Sequence, residues 1–238
     1  MKPLLIVKTG ETMPELRSRR GDFEDWIAGG FEGVLDTAVV APYAGDRLPA
    51  PENFSGVVIS GSHAMVTDRA AWSEHTAVWI QEVMAAEIPL LGICYGHQLI
   101  AHALGGRVGD TPGGAEVGMT EIRLRAEAMR DPLFCQIPAT MQVHASHTQS
   151  AVRLPKGAVC LASNAHEPHH AFSVGSSTWG LQFHPEFDAE IMKAYLDEYA
   201  DLVRAAGKSP SLLKRSTRDT PISRSILRRF AGIVRERS

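Results

Sequence analysis

One apolar run ending in a cysteine between two glycines constrains this chain more than any other feature. Residues 89–93 read PLLGI, apolar at every position, and lead without a break into Cys94-Tyr95-Gly96. A strand apolar on both faces belongs in the middle of a parallel sheet that is covered on both sides. The next stretch, Tyr95 to Leu104, has helical periodicity and is stopped by Gly105-Gly106. Strand, nucleophile and helix therefore follow one another directly. The spacing Gly-x-Cys-x-Gly suits a sharp strand-to-helix turn in which the middle residue adopts a strained backbone. A cysteine there sits at a helix N-terminus, where the helix dipole favours thiolate. The backbone N–H of Tyr95 would face an oxyanion formed on the attacked carbon. Cys135 and Cys160 lack this context and read as packing residues.

The remaining pattern agrees with such a sheet. Pro3–Val7, Leu35–Val40 and Gly56–Ser60 read as strands, and Gly21–Gly29 and Trp72–Glu87 as helices. Alternating strands and helices imply an α/β fold with a mostly parallel sheet flanked by helices. From Met119 to Phe183 the pattern changes to short alternating segments: Met119–Leu124, Thr140–His144, Ala151–Leu154, Ala158–Ser163, His170–Val174 and Thr178–Phe183. These are expected to form an antiparallel extension. Asp188–Ala206 reads as a closing helix, with Asp188 as its N-cap.

Charge divides the chain. Residues 207–238 carry nine Lys/Arg and two Asp/Glu, a balance of +7, which leaves −10 on the preceding 206 of the 238 residues. We expect one domain over residues 1–206, followed over 207–238 by a basic linker and an amphipathic helix. Ser209–Thr220 reads as a polar, mobile connector. Ile222, Ile226, Leu227, Phe230, Ile233 and Val234 then recur at helical spacing. This helix is expected to dock on its own domain or on a second copy, giving a homodimer. The alternatives are an acidic partner, a membrane surface, or disorder.

The net charge of −3 gives no global bias towards nucleic acid. No apolar stretch reaches the ~20 residues of a membrane span, and the run Leu4–Val7 is too short for a signal-peptide core. Three cysteines without a CxxC pair indicate neither a disulfide framework nor a zinc site. The expectation is a cytoplasmic protein in a reducing compartment, with no cofactor. His166, His169 and His170 invite a metal reading, but no acidic or cysteine partner stands at a recognised spacing, so no metal is assigned. His170 is read instead as part of a strand near the active-site rim, and His97 and His102 as packing or surface residues.

A second motif, Gln182-Phe183-His184-Pro185-Glu186-Phe187, lies ninety residues beyond the cysteine. Residues two apart on a strand point the same way. His184 and Glu186 are thus expected on one side, the imidazole as base and the carboxylate as its orienter.

Together, GICYGHQ (92–98) and QFHPEF (182–187) resemble the class I, triad-type glutamine amidotransferases, and in particular the glutaminase domain of GMP synthetases. The resemblance covers about Leu5 to Ala206. It implies a doubly wound, flavodoxin-like α/β fold and hydrolysis of the glutamine side-chain amide through a γ-glutamyl thioester. By position, Cys94 is the nucleophile, His184 the base and Glu186 the orienting carboxylate. Gly61 and Tyr95 supply the oxyanion N–H groups. Ser60, Gln98, Ser146, His147 and Thr148 fall at substrate-binding positions. Two segments depart from the family pattern. The loop after the third strand reads Ser60-Gly61-Ser62-His63, without proline, and Thr148 stands where the GMP synthetase branch has glycine.

ISGSHAMVTD, followed by Trp72, also resembles the stand-alone plant γ-glutamyl peptidases, whose leaving group is an amino acid or peptide. The functional expectation is glutamine hydrolysis, with γ-glutamyl peptide hydrolysis as the alternative and a non-enzymatic regulatory protein as a third reading. No GxxxxGK[ST] loop occurs, so a synthetase partner would be a separate protein.

Overall fold

The computed structural model describes residues 1–237. Its centre is a set of short strands whose side chains alternate between two cores. Strand β1 (Leu4–Val7) sends Leu4 and Ile6 to one side and Leu5 and Val7 to the other. Strands β3 (Gly56–Ile59) and β4 (Leu90–Ile93) divide in the same way, Val58 and Leu91 on one side, Val57, Ile59 and Leu90 on the other. Every residue of these three strands is buried, which explains why they read as continuous apolar runs.

Strand β2 (Thr37–Val40) forms one edge. Beyond β4 come β11 (Thr178–Leu181), β10 (Ala171–Val174), β9 (Ala158–Ser163), β6 (Glu116–Leu124) and β7 (Thr140–His147). The sheet runs β2-β1-β3-β4-β11-β10-β9-β6-β7. Pairings from β2 to β11 are parallel and those from β11 to β7 antiparallel. This is the expected parallel sheet with an antiparallel extension. One expected member is elsewhere: β8 (Gln149–Arg153) leaves the large sheet and pairs with β5 (Arg107–Asp110), a strand the sequence pattern did not reveal.

Helices cover both faces. Helices α3 (Ala71–Ala85) and α4 (Tyr95–Ala103) pack on the face that holds Leu5 and Val7. On the opposite face lie α2 (Phe23–Gly30) and the C-terminal α8 (Pro221–Glu236). The short α1 (Pro14–Arg20) has no apolar period because only Leu16 is buried. Pro14 in its first turn, Glu15 near the start and three arginines near the end account for it instead. The closing helix is two helices, α5 (Ala189–Glu198) and α6 (Ala200–Ala205), which meet at Tyr199. Asp188 caps α5 by accepting from Ile191 N at 2.9 Å.

The tail departs from the expectation of a mobile connector. Within Ser209–Thr220 lies α7 (Pro210–Ser216), capped by Ser209 and tied to the body by an ion pair of 2.6 Å between Lys214 and Asp197. The apolar stripe of α8 joins the chain's own core, with Ile226, Leu227, Phe230, Ala231 and Val234 fully buried, so that stripe is not presented to a second copy. The tail's charge meets the acidic body in a few places. Arg228 lies 3.5 Å from Glu32, and Arg229 donates to the carbonyls of Leu133 and Pro132.

Candidate active site

Cys94 occupies the junction of β4 and α4 with φ 49° and ψ −97°, a backbone region costly for a side-chain-bearing residue. The flanking glycines are a packing necessity. A Cβ on Gly92 would lie 2.4 Å from the carbonyl of Gly96, and one on Gly96 would lie 2.4 Å from the carbonyl oxygen of Ile59. The elbow is pinned by Cys94 N donating to Leu181 O at 2.7 Å and Gly96 N donating to Ser60 O at 3.2 Å. Cys94 is 6% exposed. Its Sγ lies 3.7 Å from Ser146 O and accepts from Gln182 Nε2 at 3.6 Å.

His184 and Glu186 meet as expected, for a different reason. Strand β11 ends at Leu181, so the two residues stand on an irregular turn through Pro185, not on a strand. The turn brings Nδ1 of His184 to 2.7 Å from Glu186 Oε1, with both side chains buried. Phe187 stacks on the imidazole at 4.0 Å between centroids, and Phe23 lies beyond it at 6.4 Å from His184. Burial alone would lower the pKa of His184. The Glu186 carboxylate and the neighbouring Cys94, with side-chain hydrogen bonds to both, raise it instead from 6.5 to about 10. The buried imidazole therefore holds its proton through the neutral range.

The loop after β3 separates its residues into two roles. Ser60 is fully buried behind the pocket: its Oγ accepts from Thr9 N at 2.9 Å and its carbonyl accepts from Thr9 Oγ1 at 3.0 Å. It holds the loop and does not line the pocket, against the expectation of a substrate contact. Gly61 lies beside His184, where a Cβ would come within 2.9 Å of its Cε1. The Ser60 carbonyl points at Gly96 N and Thr9, so across the planar trans peptide the Gly61 N–H points the opposite way. Ser62 and His63 line the pocket. His63 Nδ1 sits 2.8 Å from the Tyr199 hydroxyl and Nε2 3.4 Å from that of Tyr195, and burial lowers its pKa.

Gln98, Ser146, His147 and Thr148 all line the same pocket as Cys94. The Gln98 amide donates to Gln149 O at 2.8 Å and to Gln182 Oε1 at 3.2 Å. His147 is an internal strut, with Nε2 3.1 Å from Glu116 Oε2 and Nδ1 3.1 Å from Gln149 O. His170 Nε2 lies 3.1 Å from the same Glu116 oxygen. Against the cost of burial, these two histidines hold Glu116 well below the usual carboxylate range. His166 and His169 turn to separate carbonyls, of Gly114 and Ala151, so the three neighbouring histidines do not converge. His97 is fully buried against Phe172, and His102 pairs with Glu74 at the surface.

Several site residues escaped the sequence reading. Gln182 lies inside the motif that carries His184 yet shows no role until the fold sets it against Sγ. Tyr195, Tyr199 and Leu202 recur at helical spacing and wall the pocket from α5 and α6, a signal that was legible had the closing helix been read by face. Glu116, a lone acidic residue far from either motif, offered none.

A family model for the class I glutamine amidotransferases matches residues 35–199. A GMP synthase (glutamine-hydrolysing) of Porphyromonas gingivalis is 36% identical over 190 residues, covering 78% of this chain but only 33% of that protein. γ-Glutamyl peptidase 3 of Arabidopsis thaliana is 29% identical over 154 residues, 63% of this chain and 62% of that protein. A crystal structure of a glutamine amidotransferase from Thermotoga maritima superposes with a TM-score of 0.78 at 24% identity, covering 98% of each chain, and so shares the fold. The family match spans more than half of the sequence and includes both motifs, and the chain belongs to the class I glutamine amidotransferase family.

Proposed function

We propose that the protein hydrolyses the side-chain amide of glutamine, with Cys94, His184 and Glu186 as a catalytic triad. The observation that carries this reading is that a cysteine on a strained elbow shares one pocket with an imidazole already held by a buried carboxylate. The His184 imidazolium stabilises a Cys94 thiolate, which attacks the γ-carbonyl carbon. As the C–S bond forms, the carbonyl electron pair moves onto oxygen, where the N–H groups of Tyr95 and Gly61 receive it. Tyr95 is the first residue of α4, a position whose N–H has no partner within its helix. When the carbonyl re-forms, the C–N bond breaks, the nitrogen leaves with its electron pair, and His184 supplies its proton. Water, deprotonated by His184, then cleaves the thioester and regenerates the thiolate. Glutamine and water become glutamate and ammonia. Gln98 and the Ser146–Thr148 segment hold the amino-acid end of the substrate.

A second reading has its own support. The pocket continues past Cys94 along Ser62, His63, Met65, Thr148, Tyr199 and Leu202, and Met65 and Leu202 are 36% and 39% exposed. This open rim leaves room for a leaving group larger than ammonia, as in a γ-glutamyl peptide. If glutamine is the substrate, a separate synthetase docking over the same rim is the natural acceptor of ammonia. No helix among the described residues is long and apolar enough to cross a membrane. We assign the protein to a reducing cytoplasm, where its three unpaired cysteines stay as thiols.

The test follows glutamate release from glutamine, glutathione and a γ-glutamyl dipeptide, with Cys94→Ala alongside. We expect release to depend on Cys94, and glutamine to be turned over faster than either peptide. Faster release from the peptides makes the protein a free-standing γ-glutamyl hydrolase. Hydrolysis retained by Cys94→Ala removes the proposed mechanism.

A further inference from the structure

The base and its carboxylate stand on a turn beyond the last paired residue of β11, Leu181, and the sheet reaches that turn through single backbone bonds to Gln182 N and His184 N, none of them at Glu186 or Phe187. What holds this turn lies partly outside the family-matched segment, which ends at residue 199. The connector between α7 and α8 and the first turn of α8 reach it at three points. Asp219 Oδ1 accepts from Ala189 N at 2.9 Å, fixing the start of α5 directly after the turn. Arg224 Nη1 donates to the backbone carbonyl of Glu186 at 3.4 Å, and among the described residues no carboxylate pairs with this guanidinium. His144 bridges the rest. Its backbone carbonyl accepts from His184 N at 2.8 Å, and its ring lies between the carbonyl oxygens of Phe187, 3.2 Å from Nδ1, and Arg218, 3.0 Å from Nε2. The reaching segment is anchored at its far end, because Ile226, Leu227 and Phe230 seat α8 in the main core immediately afterwards.

We infer that residues 217–224 form a clasp that positions the His184–Glu186 turn, with Arg224 and Asp219 as positioning residues and His144 as the bridge between clasp and turn. The inference rests on the triad reading above. Strand β7 fixes the turn at His184 N, but no helix or ladder fixes Pro185 to Phe187, so the placing of Glu186 against the imidazole depends on what grips the carbonyls and the exit of that stretch. The clasp grips the carbonyl of Glu186 and the first N–H of α5, and the His144 ring, between the carbonyls of Phe187 and Arg218, joins it to the rest of the turn. Its loosening leaves the pocket intact and misplaces the base, so kcat falls while KM holds, since a small misplacement of a catalytic group is costly in rate.

The experiment compares Arg224→Met, Asp219→Ala and Asp219→Asn with the parent. Asp219 is exposed and Arg224 half-buried, so the fold survives these changes, which thermal unfolding verifies. Two readouts are taken: kcat and KM for glutamine, and for glutathione where that is turned over faster, and the pH profile of iodoacetamide alkylation at Cys94, located by peptide mass spectrometry. We expect Arg224→Met and Asp219→Ala to lower kcat about tenfold or more, with KM unchanged and the Cys94 alkylation profile displaced towards that of an unassisted thiol. Asp219→Asn, which keeps the accepting oxygen, should restore the parent behaviour. Parent-like kcat and alkylation profiles in both Arg224→Met and Asp219→Ala overturn the clasp. So does an Asp219→Asn variant as impaired as Asp219→Ala. If the parent's own Cys94 alkylates no faster than Cys135, the triad reading fails, and the clasp inference falls with it.

Discussion

At Gly61 the space for a side chain is taken by the His184 imidazole, the proposed base. A methyl group there would stand 2.9 Å from His184 Cε1, a distance that moves either the loop or the ring. Gly61→Ala should lower kcat at least about tenfold while leaving thermal unfolding near that of the parent, because the conflict is with one side chain. Steady-state glutamate release beside a melting curve checks both halves. The charge on the base is the other residue-scale quantity. Burial works against the His184 imidazolium, and Glu186 with Cys94 outweighs it, so the proton is held up to about pH 10. Turnover should therefore fall as pH rises through about 10, where the leaving nitrogen loses its proton donor. Glu186→Gln removes the largest stabilising charge, so the alkaline limb should move to lower pH and kcat should drop. A pH–rate profile of the two proteins measures this, and an unmoved alkaline limb would detach Glu186 from the base.

At the scale of the element, the elbow depends on how closely α4 can approach β3 and β4. Gly92 and Gly96 are the two points of contact, and at both the nearest obstructing atoms belong to backbone that cannot rotate away. Gly96→Ala should therefore destabilise the protein by about 1–3 kcal/mol, the range for overpacking, and displace Cys94 with the helix. A lowered urea midpoint accompanied by loss of Cys94-dependent turnover is the expected result. A stable, fully active Gly96→Ala protein would mean that α4 slides without consequence. The turn that bears His184 begins where the β11 ladder stops. Gly180 packs with no side chain against Phe172 and His97, regular pairing ends at Leu181, and beyond it only single backbone bonds from Gln182 N to His170 O and from His184 N to His144 O hold the chain before Pro185, which has no N–H to give.

For the whole molecule, the acidic body and basic tail divide the charge but not the core. Phe230 is fully buried and meets Trp179 edge-on at 6.1 Å, so α8 closes the same core that supports β4 and β11. Phe230→Ala should cost about 3–5 kcal/mol by loss of transfer energy and cavity formation. Ile222→Ala, at a position 41% exposed on the same helix, should stay within about 0.5 kcal/mol. Chemical denaturation of both variants separates the cases. Equal effects would mean that the helix is held by its rim rather than by its apolar stripe. A loss at Phe230 would also reach the His184–Glu186 turn, because the proposed clasp is anchored through this helix.

The sequence alone determined the elements that satisfy their own physical requirements locally. An apolar run of five residues, Pro89–Ile93, that leads straight into Cys94 and carries the first glycine of Gly-x-Cys-x-Gly points to a buried strand feeding a sharp turn, and the N-cap Asp188 and the stripe on α8 are likewise written in neighbouring residues. The two motifs that carry Cys94 and His184 were legible because each concentrates unusual residues within seven positions or fewer. The tertiary structure decided everything that depends on a distant partner. It carried β8 out of the large sheet to pair with β5, ordered residues 210–216 as a helix through Lys214 and Asp197, and turned Ser60 inward onto Thr9. Glu116, the support of His147, and Arg224, at the carbonyl of Glu186, have no local signature, because their roles exist only where separate stretches of chain are brought within hydrogen-bond distance.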